Sequence, residues 1–208
     1  MPAPPPVTFE LSGGHPALDF VNTVGGDRQV RPREDLHRFA DLLAWASLAG
    51  VVTQVEAKAL GREAAAHPAE AERALEHARA FRESLYRLLL ALVEGRPAPA
   101  PELAILDTEV RRALATRRLH SVGGACAWSA PEVSLVDSVV PRVALAAAEL
   151  LTGQGLKRVG VCEATGTDGC GWLFLDETRN HSRRWCNMAT CGNQHKARRH
   201  YARVRARG

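Results

Sequence analysis

Towards the C-terminus of this 208-residue chain four cysteines fall in two pairs: Cys162 and Cys170, with seven residues between them, and Cys186 and Cys191, with four. Fifteen residues separate the pairs. Thiolates are soft ligands, and two turns bearing two each can close a tetrahedron around zinc without a large apolar core. Neither spacing is the tight two-residue form, so the neighbouring residues have to decide. Gly171, directly after Cys170, permits the tight turn of a metal knuckle. WLFLD then reads as a strand leading through RNHS to RRWC, a hairpin-length excursion. Cys191 stands just before a helical segment, whose N-terminus favours a thiolate. Knuckle, hairpin and helix describe a treble-clef-like finger with a closed, structural site. Two rival readings use the same residues. A pair of disulfides is opposed by the odd count of five cysteines and by a start, MPAPPPVTF, that lacks the basic and apolar regions of an export signal. A ligand set of Cys186, Cys191, His195 and His200 would leave Cys162 and Cys170 without a purpose. Cys126, alone in GGACAW, reads as a small buried hydrophobe.

Charge gathers around the same cysteines. The net +4 divides after Glu177: residues 178–208 hold nine Lys or Arg and no Asp or Glu, against 18 and 23 in the remainder. At about 100° per residue, a helix from His195 to Arg207 collects Lys196, Arg199, Arg203 and Arg207, with His200, on one face. Ala197, Tyr201 and Val204 form an apolar strip beside it, expected to pack on the finger. Arg183, Arg184 and Arg198 are candidates to extend the cationic surface. Phosphates are its natural partners, and arginine also reads guanine edges. The plain alternative is a basic tail that aids solubility. Trp172, Trp185 and Tyr201 suit base stacking, though core packing is the better reading of the two tryptophans.

The elements that must position this end are mainly helical. Residues 1–8 are Pro-rich and expected to be disordered or extended. After GGHP, ALDFVNTV reads as a short helix closed by Gly25 and Gly26. Helices follow over 34–49, from Thr53 as cap to about 66, over 69–93 and over 101–116. The longest carries an apolar stripe of Leu75, Ala78, Phe81, Leu85, Leu88, Leu89 and Leu92. RLHSVGGACAWS predicts a hairpin about Gly123 and Gly124, and a last core helix spans 137–151. The expected architecture is a mainly α domain over 9–155 with a short β-hairpin, followed by a small zinc finger with a basic helix over 156–208. The apolar runs LYRLLLALV and VALAAAELL are broken by Arg87 and Glu149 and are too short to cross a bilayer, so a cytoplasmic protein without a membrane partner is expected.

CGWLFLDETRNHSRRWCNMATCGN resembles the signature of the CGNR zinc-finger family, and HPALDFVNTV, DLLAWASLAGVV and FRESLYRLLLAL resemble the ABATE domain that precedes it. The resemblance implies zinc on Cys162, Cys170, Cys186 and Cys191, and a role as a stress-related transcription regulator bound to DNA. The arginine that ends the naming motif is replaced by Gln194; if that arginine touches phosphate in the family, one contact is lost here or moved to Lys196 or Arg198. In the helical domain His15, Asp19, Asn22, Arg82 and Tyr86 have two readings: the lining of a small-molecule effector pocket, or caps and buried hydrogen bonds with Asp19 paired to Arg82. The domain is equally readable as a homodimerisation unit. Two further classes compete with the regulator: a protein-interaction or RNA-binding finger, and a zinc hydrolase built on His181 and Glu177. A hydrolase needs an open coordination position, and the chain has no nucleophile elbow or phosphate loop.

Overall fold

A computed structural model describes residues 7–26, 28, 31–115, 117–128, 136–164 and 170–205, the side chains of 199–203 excepted. Residues 1–6 of the Pro-rich start and Arg207 of the basic face therefore lie outside the described residues.

Seven α-helices dominate among the described residues. α1 (Pro16–Val21) opens at His15, whose Nδ1 accepts from Ala17 N at 3.2 Å. α1 is shorter than its sequence suggests, because Val24–Gly25 (β1) leaves the helix to pair antiparallel with Arg33–Glu34 (β2). The same pairing overturns the helix expected from residue 34. Glu34 is held by Arg82 at 2.6 and 2.7 Å, Asp41 accepts from the N–H groups of His37 and Arg38, and α2 starts only at Phe39 and runs to Leu48. α3 (Gln54–Ala66) begins with a reciprocal cap, Thr53 and Glu56 each bonding the other's N–H.

α4 (Pro68–Val93) buries its Leu/Ala/Phe stripe and is the axis around which the others gather. α5 (Ala100–Ala115) leads to the antiparallel hairpin of β3 (Leu119–Val122) and β4 (Ala125–Trp128). Cys126 is exposed on this hairpin, not buried as its isolation in the sequence suggested, because the hairpin stands off the helical core. α6 (Val139–Thr152) follows a 3-10 turn in which Asp137 is drawn out of the helix by His77 and Arg112. A third antiparallel pair, β5 (Val159–Val161) with β6 (Leu173–Leu175), precedes a wide π-helical turn (Met188–Gly192) that runs into α7 (Asn193–Arg205).

The core is one large cluster centred on Phe20, Trp45, Phe81 and the leucines of α4; the Phe20 ring lies 5.0 Å from Trp45 and 6.2 Å from Phe81. Val159, Leu173 and Leu175 belong to this cluster, so the last sheet is rooted in the helical core. A second, small cluster comprises Cys162, Ala164, Trp172, Phe174 and Cys186, with Cys170, Trp185 and Cys191 at its border. Among the described residues no helix is long and apolar enough to cross a membrane.

Candidate metal centre and nucleic-acid interface

Cys162 directly follows β5 and Cys170 precedes β6, so both arms of one hairpin deliver a sulfur; Cys162 N donates to Trp172 O at 2.8 Å across it. The strand WLFLD is thus paired with β5, not with RRWC as its length suggested. β5 offers Gly160 to the Phe174 ring, where a Cβ would stand 2.8 Å from Cζ, and that close fit selects the partner. RRWC returns along the hairpin instead, with Glu163 N donating to Arg184 O at 2.9 Å. Gly171 adopts φ +61°, the left-handed conformation of a knuckle turn.

The other two sulfurs frame the wide turn. Asn187 caps it, its Oδ1 accepting from Ala189 N at 2.7 Å. Gly192 closes it against Met188 and Trp185, where a Cβ would stand 2.5 Å from Met188 Sδ. Cys191 lies inside this turn, so a ligand and the start of α7 are one piece of backbone.

All four Sγ atoms lie within 4.8 Å of one another, with Cys170–Cys186 at 3.4 Å and Cys186–Cys191 at 3.6 Å. None is disulfide-bonded. Sulfurs arranged tetrahedrally at zinc's usual 2.3 Å would be about 3.8 Å apart, so the donor set fits that ion in number, type and spacing. The chemistry fits as well. Hydrogen bonds from the thiols of Cys170 and Cys186, and from the backbone N–H groups of Cys186 and Ala164, pull Cys162 down to about 2. Hydrogen bonding to Cys162 pushes Cys170 and Cys186 up, and burial does the same to Cys191. Four thiolates coexist here only around a cation. His195 is not among the ligands: its ring packs 5.7 Å from that of Trp185. The side chain of His200 is outside the described residues.

Of the polar groups that hold the cysteine loop, sequence reasoning singled out only His181, and in another role. Asp176 is buried and accepts from Thr178 N, Thr178 Oγ1 and Arg183 N at 2.9, 2.6 and 2.9 Å; the Thr178 hydroxyl is the main group holding its carboxyl below the usual range. His181, at φ +45°, turns the loop and sets Nδ1 3.3 Å from Asp176 O. Asn187 and Gly192 complete the set. An Asn directly before a helical run is the one sequence signal that points to such a cap.

The cationic candidates divide. Arg183 is a structural clamp: its guanidinium donates to Trp185 O at 3.0 Å, Leu175 O at 3.1 Å, Ser12 O at 2.9 Å and Cys186 O, and lies 4.6 Å above the Phe174 ring. Four of its five N–H donors are thus taken by carbonyls. Arg184 bonds Glu163 at 2.6 Å and remains half-exposed over Trp185. Gln194, Lys196 and Arg198 are exposed on α7. Arg199 and Arg203 lie on α7 by backbone, their side chains outside the described residues. Of the apolar strip, Ala197 and Val204 are exposed and not packed on the finger, and the side chain of Tyr201 lies outside the described residues.

Each of the five candidate pocket residues has its own partners in the fold. Asn22 acts as an extra strand partner, its Nδ2 donating to Leu173 O at 2.8 Å and its Oδ1 accepting from Leu173 N at 3.0 Å. Tyr86 OH donates to Gly171 O at 3.1 Å, inside the knuckle, and the Arg28 guanidinium stacks 3.8 Å above its ring. Asp19 accepts from Gly13 N at 2.8 Å and is not paired with Arg82; burial raises its carboxyl to about 6. His15 serves as a helix cap. Arg82 bonds Glu34, Glu83 and Thr23, and with Val24, Arg28, Pro32, Glu34 and Glu83 lines a cavity of about 320 Å³.

Known families match both parts of this architecture. The ABATE family, described as "Putative stress-induced transcription regulator", matches residues 14–154, and the CGNR zinc finger matches residues 158–204. No curated protein matches the chain.

Proposed function

The chain belongs to the ABATE family and ends in a CGNR zinc finger, and from that premise we propose that it is a cytoplasmic, DNA-binding transcription regulator whose zinc-loaded finger aims α7 at the duplex. The observation that carries the reading is the continuity of Cys191 with α7: a metal ligand is the first turn of a cationic helix, so closing the metal site sets the helix's direction. Zinc supplies a tetrahedral tie without redox chemistry of its own. The protein's residues do the rest. Cys162, Cys170, Cys186 and Cys191 fill all four positions, which favours a structural centre over a hydrolytic one. Lys196 and Arg198 are exposed on α7, and the sequence places Arg199, Arg203 and Arg207 along the same helix or its extension. A 13-residue helix on its own is marginal in water, and its like charges repel. Phosphates neutralise that repulsion, so the helix is a surface completed by its partner.

Residues 9–155 form the regulatory part in this reading. They reach the finger through Asn22, Tyr86 and Val24, whose carbonyl accepts from Trp172 Nε1 at 2.8 Å. An effector held in the helical domain would act on the finger through these contacts.

The test is duplex binding by the full-length, zinc-loaded protein across a salt titration. Replacing Arg199 and Arg203 together by alanine is expected to weaken binding to all duplex sequences and to reduce the salt slope by about two. Gln194→Arg is expected to tighten it. Unchanged binding in the double variant, with zinc content and helicity retained, overturns this assignment of the surface. Binding to single-stranded RNA, or to protein alone, in place of duplex DNA overturns the DNA reading.

A further inference from the structure

Among the described residues the β3–β4 hairpin forms a sheet of its own, and every one of its residues except the half-buried Ala127 is exposed. An isolated two-stranded hairpin is marginal in water. Here it carries Leu119, Val122 and Trp128 at 62%, 55% and 52% exposure. Its turn is well made, with Gly123 and Gly124 at φ +56° and +83°, the two-residue form that matches strand twist. The register is Val122 with Ala125, Ser121 with Cys126, His120 with Ala127 and Leu119 with Trp128. In a two-residue hairpin the pair flanking the turn exchanges both hydrogen bonds and the pattern alternates from there. Ala125 and Ala127 therefore point their N–H and C=O groups at β3, while those of Cys126 and Trp128 point out along the other edge of β4.

Exposed edges are ordinarily guarded by charge, proline or a bulge. β4 reads Ala-Cys-Ala-Trp and has none of these, whereas β3 carries His120 and follows Arg117 and Arg118. We propose that β4 is a self-association edge: the β4 strands of two copies of this chain pair antiparallel about a two-fold axis at Ala127, giving a four-stranded sheet. Cys126 then faces the partner subunit's Trp128 and vice versa, and all four outward backbone groups of each strand are satisfied. Charge decides both the edge and the occupant. Pairing through β3 would bring the His120 and Arg118 groups of two copies together, while pairing through β4 leaves them on opposite outer edges. An uncharged strand is its own complement and asks no opposite charge of a foreign partner. On one face the two Trp128 side chains, each beside its own Leu119, gather near the axis and remove apolar surface from water. The inference does not depend on the DNA reading.

Because Ala127 sits on the axis, a charge placed there meets its own copy. Sedimentation equilibrium of the full-length, zinc-loaded protein without DNA is expected to give twice the 22.5 kDa chain mass for the parent. Ala127→Glu and Ala127→Lys are each expected to give the single-chain mass, and their equimolar mixture to recover the double mass. A parent that stays monomeric up to its solubility limit overturns the proposal, as does a dimer undiminished in both variants. Hydrogen exchange of the parent gives a readout free of mutation: the Cys126 and Trp128 amides are expected to slow as concentration rises, and exchange that ignores concentration also overturns the pairing.

Discussion

The helical body and the finger are held together by opposite means. In the body, helix faces meet in a large apolar cluster where Phe20, Trp45 and Phe81 are almost wholly removed from water, and polar groups are confined to caps and seams. In the finger the apolar cluster is small and two of its five buried members are cysteines; backbone carbonyls are gathered on Arg183 and backbone N–H groups on Asp176 and Cys162. A unit of this size cannot bury enough surface to order itself and needs a metal or another cross-link. The difference shows where free energy comes from in each part: area in the body, coordination and directed hydrogen bonds in the finger. The border is crossed by β5 and β6, whose Val159, Leu173 and Leu175 draw on the body's core while their ends carry Cys162 and Cys170.

The largest expected effect breaks the comparison at its root. Cys162→Ser or Cys186→Ser removes a buried ligand, and metal content is expected to fall to near zero by elemental analysis. Structural zinc contributes about 10–16 kcal/mol to folding of small fingers, so amides of 159–164 and 170–187 are expected to lose their exchange protection. The helices of the body persist in circular dichroism. Its melting temperature nevertheless falls, because each of Leu173 and Leu175 removed from the core forfeits about 1.5–3 kcal/mol. Full metal content in both variants would show that the four sulfurs are not the site.

What was legible in the sequence follows the same division. Chemistry that closes within four residues could be read directly: the Thr53–Glu56 cap, the stripe of α4, the glycine after Cys170. The four cysteines were legible as a set because soft ligands have few other uses. Features fixed by distant partners could not be read. Glu34 looks helical until Arg82, on another helix, claims its carboxylate. Arg183 looks like a phosphate ligand until the fold brings the Ser12, Leu175, Trp185 and Cys186 carbonyls around it. Asn22 and Asp19 announced buried hydrogen bonds, yet their partners, Leu173 and Gly13, are backbone groups that no side-chain pattern marks. Ala197 and Val204 have helical spacing, but spacing says nothing of whether the finger has surface left to cover them.

A smaller effect sharpens the comparison at the border. Asn22 satisfies both the N–H and the C=O of Leu173, a residue of the finger's sheet inside the body's core. Asn22→Ala leaves two buried backbone groups unpaired at about 1–3 kcal/mol each. The cost is expected to appear as separation of the two parts: unfolding monitored at the metal site precedes that of the helices, where the parent shows one transition. Asn22→Asp is expected to be worse, since a second acceptor then faces Leu173 O. Coincident transitions in both variants would mean that the apolar contacts of Leu173 alone join finger and body.

The smallest effect concerns the body alone and asks whether its polar seams matter once area has been counted. His77 on α4 sets Nδ1 3.0 Å from Asp137 and Nε2 3.2 Å from Glu109 on α5, with Arg112 2.8 Å from Asp137. The hydrogen bonds to Asp137 and then Glu109 outweigh burial and raise the imidazole from 6.5 to about 9. A histidine whose folded value is raised contributes stability that is fully present below its unfolded value and is lost as pH rises through the folded one. The window here runs from about 6.5 to about 9. The ring is only half-buried, so solvent screening leaves about 1 kcal/mol of this contribution. Thermal unfolding of the parent is therefore expected to weaken between those pH values by that amount, and His77→Gln to flatten the dependence while lowering stability at pH 6. A parent and a variant with parallel pH profiles would assign the slope to other groups and leave the His77 seam without a measurable share in holding α4, α5 and the Asp137 turn together.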